Sequence, residues 1–464
     1  MGTLRADSNY SDCSDGNGIF TSSSHPPSSE KKPDSYWQAM FASDGEISKL
    51  LSQITPKMIK WRHYFYQHPE LSNNEDKTAA YVLHRLSDFG VDEIKSDVAG
   101  NSVVGIINGC GEGKAILLRA EMDALPIRQS HAWKGRYSKK MSLLPHSPDI
   151  SHASGHDCHI AILLGVAKIL CEFRDRFRGK VILLFQAGSE GDYLKKKLNS
   201  ARQILLDGIL QINAPTMAFS LKSAPAPTGT LSCRKGLQFA ASTRVNVAFD
   251  ATMNTNMFEP ERTPDPVTAL ASFLTQVEQL KKRSTNKDSF LAYFGHFWDR
   301  GRFNLLPTKT AAWGKIHYFD VDEFNCFKTE LERIAEESAN AFRCESKVVF
   351  DQHIPELKNT SNIVEEAYPV LVDVVGENNI FESMPSFKSD DFSELINEFG
   401  GVEILLGVQD CEYPKNGSVD LDRLALSASS PTHTPHFYAQ DEALEVGAKV
   451  CLRMALAHLS GEVG

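Results

Sequence analysis

Lys180-Val-Ile-Leu-Leu-Phe-Gln-Ala-Gly-Ser-Glu-Gly191 opens as an unbroken apolar run and closes in a small-residue turn that carries an acid. An apolar run this short, with no polar alternation, reads as a strand buried on both faces. Such strands belong to parallel sheets covered by helices on either side. Ser102–Ile107, Ala115–Leu118 and Thr216–Leu221 share the texture. Between them the apolar period changes to that of a helix. Ile54, Met58 and Trp61 mark one helix within Ile47–His68, and Ala161, Leu164, Ala167 and Leu170 mark another that begins at His159. Ala201–Leu210 reads as a third. Strands alternating with helices predict a mostly parallel α/β sheet.

The pattern changes near Gly236. Residues 237–350 read strand, helix, strand, strand, helix, strand, and the helix Asp322–Phe342 sets Phe324, Phe327, Leu331 and Ile334 on one face. That βαββαβ order is the ferredoxin-like, split-βαβ module. After residue 351 the α/β texture resumes. The expected organisation is a Ser-rich disordered tail over 1–45, an α/β domain built from 46–236 and 351–464, and an inserted domain over 237–350. Residues 128–150 form a polar, basic insertion, either a loop or a flap over the site.

Composition narrows the function. The chain has 464 residues and a net charge of −10 without a long basic block, so nucleic acid is not an expected partner. No apolar run approaches a membrane span, and the N-terminal stretch lacks a signal-peptide core. Met1-Gly2 is followed by Ala6 where myristoylation wants Ser or Thr. Nine cysteines spread from Cys13 to Cys451 without a Cys-x-x-Cys pair argue against a disulfide framework. The expected setting is cytoplasmic.

Chemistry concentrates in four segments: Leu118–Ile127, His152-Ala-Ser-Gly-His-Asp-Cys-His159, Phe185–Gly191 and Pro431-Thr-His-Thr-Pro-His-Phe437. Most of these adjoin expected buried strands, and open α/β sheets place their sites at strand ends. His156, Glu190 and His433 form a two-His, one-Glu set of the kind that holds a catalytic zinc. Each alone has a plainer reading: His433 a loop histidine, Glu190 an acid favoured by a helix N-terminus.

Tyr64-Phe-Tyr-Gln-His-Pro-Glu-Leu-Ser72, Leu118–Ile127, His152–His159 and Phe185–Gly191, followed by Asn304-Leu-Leu-Pro307, Ser389-Asp-Asp-Phe392 and His433-Thr-Pro435, resemble in order the signature of the peptidase family M20 amidohydrolases. The resemblance spans roughly residues 46 to 460. It implies an aminoacylase-like enzyme that cleaves N-acyl amino acids such as auxin conjugates, with a metal-binding α/β domain and an inserted lid or dimerisation domain. It also implies a homodimer, two divalent metals with a bridging water, a Glu general base, and a lid His that stabilises an oxyanion.

The chain keeps His156, Glu190 and His433 and departs elsewhere. Ser154 stands where the resemblance implies a bridging Cys, and Ser189 where it implies the base. The middle ligand His falls on Leu221 or Lys222, depending on a one-residue gap. Asn256 stands for the lid His, Glu121 for an Asp, and His317 for a lid Arg. Serine is a poor anionic bridge, and a hydroxyl cannot replace a carboxylate base. Ser189 in Ala187-Gly-Ser-Glu-Gly191 misses the nucleophile-elbow pattern at its first position, so it reads as a turn residue.

The expectation is therefore a dismantled two-metal centre. Catalytic candidates are His156, Asp157, His159, Glu190 and Asn304. The cofactor is none, or one divalent metal, zinc or manganese, on His156, Glu190 and His433. The adopted reading is reuse as a non-classical enzyme, in specialised metabolism, on a small molecule with an amino-acid-like part. The alternatives are a mononuclear amidohydrolase and a catalytically inactive binding or dimerisation protein.

Overall fold

The computed structural model describes residues 34–130, 145–191, 199–253, 256, 258–259, 261–283, 290–299, 301–302, 305–412, 419–422 and 430–464, with the side chains of these residues described from residue 45 onward except at residue 283. The tail over 1–33, most of the 128–150 insertion, and Asn304 lie outside these residues. The chain divides into the units Met1–Glu46 and Ile47–Gly464, and the site lies in the second. The first helix runs Asp34–Gln67, so it starts inside the stretch read as tail rather than at Ile47.

An eight-stranded mixed sheet forms the centre. Four parallel strands hold its middle in the order Lys180–Gln186, Ala115–Glu121, Met217–Pro227, Gly401–Gln409. Ser102–Asn108 joins antiparallel beside Lys180–Gln186, and Glu93–Val98 closes that edge. Two-residue strands, Leu231–Ser232 and Ile380–Phe381, finish the other side. Every residue of Ala115–Glu121 and of Gly401–Gln409 is buried, as two covered faces require.

The chain leaves Ala115–Glu121 for the strand on one side and returns to Met217–Pro227 on the other. A crevice opens at the carboxyl ends where the order reverses. The helix His156–Phe173 crosses between the first two of these strands. Nearly all of its residues are buried, so it packs on every side, including against the C-terminal helix Ala443–Ser460. Each fully buried Leu or Ile there contributes about 1.5–3 kcal/mol relative to exposure.

Residues 241–354 build a second, antiparallel sheet of four strands in the order Cys344–Ile354, Ala241–Ala251, Lys309–Tyr318, Phe290–Asp299. Helices Pro266–Arg283 and Val321–Ala341 complete the βαββαβ order read from sequence. Phe249, Phe273, Phe327, Leu331 and Ile334 meet in its own apolar core. Asp320 caps the second helix by accepting from Asp322 N and Glu323 N at 2.8 and 3.1 Å.

Candidate active site

The parallel strands deliver their chemistry at one edge. Glu121 ends its strand, Ser189 and Glu190 follow Gln186 after a turn at Gly188, and Lys222 with Ser223 lies in Met217–Pro227. The helix of the histidine cluster starts at His156 itself, not at His159. Gly155 turns the chain into it at φ 82°, and a Cβ there would lie 2.6 Å from Ser223 Oγ. His433 also sits in the left-handed region, at φ 63°, where non-glycine residues are uncommon. Its N–H bonds Ala153 O at 2.9 Å, which fixes it beside the cluster.

Glu121 is the hub. Its Oε2 lies 2.9 Å from His159 Nδ1, and its Oε1 accepts from Lys222 Nζ at 2.8 Å, with Arg119 Nη1 at 3.3 Å. Lys222 also bonds Asp390. Arg119 reaches Asp390 and Asp391 at 2.9 and 3.0 Å and the Gln186 amide at 2.8 Å. Burial alone would raise the Glu121 carboxyl, but Arg119, Lys222 and His156 hold it well below the ordinary range. Burial would lower the Lys222 ammonium, but Asp390 and Glu121 carry it well above its usual value. Burial, reinforced by Asp390, pushes Glu403 up to about 8, so this carboxyl stays protonated near neutrality.

His159 has both ring nitrogens engaged. Ser223 N–H donates to Nε2 at 2.9 Å, so the proton sits on Nδ1 and is given to Glu121. His156 is different. Its Nδ1 lies 2.8 Å from Asp123 O, while Nε2 is buried without a hydrogen-bond partner. Burial would lower this imidazole, but Glu121, Asp123 and Glu190 raise it to about 9. Glu190 Oε1 stands 3.7 Å from His156 Nε2, 3.3 Å from His433 Nε2 and 2.5 Å from Ser154 Oγ. Ser189 Oγ donates to Asp123 Oδ1 at 2.6 Å, and among the described residues it makes no hydrogen bond to a histidine.

Glu121, His156 and His159 are the only described residues whose ligand atoms form a mutually close cluster, all within 4.8 Å. The structure thus brings together His156, His159, Glu190, His433, Ser154 and Ser189. Asp157 is not with them: its buried carboxylate accepts from Arg62 Nε at 3.0 Å, so it braces the helix. Leu221 packs into the apolar core, whereas Lys222 lines the cavity. Asn256 is exposed on a loop, where its side chain accepts from Phe258 N at 3.1 Å. Burial pushes His152 down to about 4, and neither of its ring nitrogens has a hydrogen-bond partner. Sequence reading underweighted Glu121, Arg119 and Asp390. A carboxylate ending a buried strand is the signal that points to them.

A cavity of about 130 Å³ opens onto this edge. Its walls include Glu190, Lys222 and His433 from the α/β part and Tyr293, Lys315 and His317 from the antiparallel sheet. No described helix is long and apolar enough to cross a membrane.

This α/β sheet, with histidines and carboxylates gathered at its strand ends beneath a βαββαβ insertion, is the architecture of a metallopeptidase-type hydrolase. The chain belongs to Peptidase family M20/M25/M40, whose model matches residues 117–457. An Arabidopsis thaliana relative named IAA-amino acid hydrolase ILR1-like 2 is 30% identical over 409 residues, 87% of this chain and 85% of its own length. A putative amidohydrolase, YhaA, of Bacillus subtilis (strain 168) is 25% identical over 414 residues, covering 89% of this chain and 97% of its own. Among solved structures, a putative aminohydrolase from methicillin resistant Staphylococcus aureus superposes with a TM-score of 0.68 at 22% identity, over 89% of this chain and 99% of its own. A Bacillus subtilis protein described as a dinuclear metal binding peptidase from the M20 family has a TM-score of 0.63 at 20% identity, over 88% and 99%.

Proposed function

We propose that the protein acts on the amide bond of an amino-acid conjugate at a centre where the Lys222 ammonium does the electrostatic work of a metal ion. The observation that carries this reading is the seat of Lys222 at the strand edge, bonded to Glu121 at 2.8 Å and also to Asp390. A fixed cation there satisfies the carboxylates and repels a second divalent ion. The residues do not fit a two-metal bridge, since Ser154 offers a neutral hydroxyl and Ser223 N–H occupies His159 Nε2.

The remaining groups suggest a division of labour. Lys222 uses two N–H bonds on carboxylates and faces the cavity, where its third polarises a substrate carbonyl. The imidazolium of His156 adds positive charge behind it. Glu190, held ionised by His433 and His156 against the effect of burial, is the carboxylate placed to accept a proton in place of Ser189. In this reading the setting is specialised metabolism and the substrate is a small molecule.

A second reading rests on His156 Nε2, which makes no hydrogen bond and stands 3.4 and 3.7 Å from carboxylate oxygens of Glu121 and Glu190. Ligand atoms around a tetrahedral zinc at about 2.0–2.1 Å stand roughly 3.3 Å apart. Glu190 Oε1 lies 3.7 and 3.3 Å from His156 and His433, but the ligand atoms of the three are not all within 4.8 Å of one another, so one ion would hold all three only once His433 draws in toward His156. When bound, such an ion supplies Lewis-acid polarisation of a carbonyl.

The test is turnover of a panel of N-acyl amino acids by the untagged full chain, with and without chelator. Turnover is expected to persist in chelator and to fall about 10²-fold or more in Lys222→Met and Glu190→Gln. Loss of turnover in chelator with rescue by zinc or manganese would overturn the lysine-centred reading in favour of the single-metal one.

A further inference from the structure

Among the described residues, two of the three ammonium groups that line the cavity are not paired directly with its carboxylates. Lys222 is engaged by Glu121 and Asp390. Lys315 and Lys388 also line the cavity, and among the described residues neither ammonium has a hydrogen-bond or ion-pair partner. They come from separate pieces of the fold: Lys315 from the Lys309–Tyr318 strand of the antiparallel sheet, Lys388 from the loop that leads into Asp390.

Lys315 and His317 lie two apart on that strand and so face the same way. Burial, then the Lys315 charge, pushes the His317 imidazole down to about 3, so the strand presents its positive charge through Lys315 alone. Burial lowers both lysines, opposed at a distance chiefly by Glu190 for Lys315 and Asp422 for Lys388. Asp422 is already taken by Ser386 Oγ at 2.8 Å. Ser389 lines the same cavity, and its Oγ is shielded from solvent with no partner. Ammonium groups withdrawn from water without a counter-ion are costly, and an entering anion relieves that cost.

We propose that the amino-acid part of the substrate carries two carboxylates, one taken by Lys315 and the other by Lys388, with the Ser389 hydroxyl donating to one of them. The substrate class is then an N-acyl conjugate of an acidic amino acid. This rests on the amide-conjugate reading above and adds the second anion.

Calorimetric titration of the full chain with N-acetyl-L-glutamate and N-acetyl-L-glutamine tests it, because the two match in shape and differ by one charge. The glutamate conjugate is expected to bind tenfold or more tighter. The double variant Lys315→Met with Lys388→Met is expected to bind both equally, with an unchanged or higher melting temperature. Equal binding of both conjugates to the unmodified protein would overturn this inference alone. Binding of neither would overturn it together with the amide-conjugate reading. A preference that survives the double variant would show that these lysines are not its source.

Discussion

Gly155 shows how closely the site is built, residue by residue. At φ 82° it holds a conformation that costs a side chain about 1–2 kcal/mol, and a Cβ would press on Ser223 Oγ at 2.6 Å. Gly155→Ala is expected to destabilise the fold by about that much or more, measurable by denaturant titration, and to shift the Ser223 N–H away from His159. His156 and Glu190 were legible in sequence because they sit in compact motifs. Lys222 was not resolved, since a one-residue gap moves a strand position to the opposite face, and only the register puts Leu221 in the core and Lys222 in the site. Asp157 was read as catalytic from its neighbours. Its true partner, Arg62, lies 95 residues away, beyond any local pattern.

Arg62 also fastens elements together. It joins the helix Asp34–Gln67 to the helix His156–Phe173 through Asp157 at 3.0 Å, and to the segment before Ala443–Ser460 through Asp441 at 2.5 Å. Removing one partner of a buried pair leaves the other uncompensated. Arg62→Met is expected to cost about 3–5 kcal/mol, seen as a lower denaturation midpoint. Burial would raise Asp441, but His63 and Arg62 hold its carboxyl below the ordinary range. Its stabilisation is therefore full above the unfolded value, about pH 3.9, and drains away as pH falls through the lower folded value. The variant should flatten that acid limb. The long elements followed from their periods, because continuous apolar strands and one-faced helices leave strong signals. Leu231–Ser232 and Ile380–Phe381 left none, being two residues each and set by their neighbours.

At the scale of the whole molecule, the α/β sheet sets a cationic pair, Arg119 and Lys222, among buried carboxylates, and the antiparallel sheet adds Lys315 above them. A Bacillus subtilis member of the family is described as a dinuclear metal binding peptidase; in this chain part of the positive charge at the site is proposed to come from side chains. In the proposed reading Ser154 and Lys222 differ together, because a bridge and a ligand for a second metal have no purpose once a fixed ammonium occupies the edge, and Glu190 takes the proton in place of Ser189. The central claim is most directly tested by the divalent metal content of the untagged full chain, measured by plasma mass spectrometry after exposure to zinc and manganese and removal of loose ions. The account predicts no more than one ion per chain, and one more when Lys222→His is combined with Ser154→Cys. Two tightly held ions per unmodified chain would contradict it.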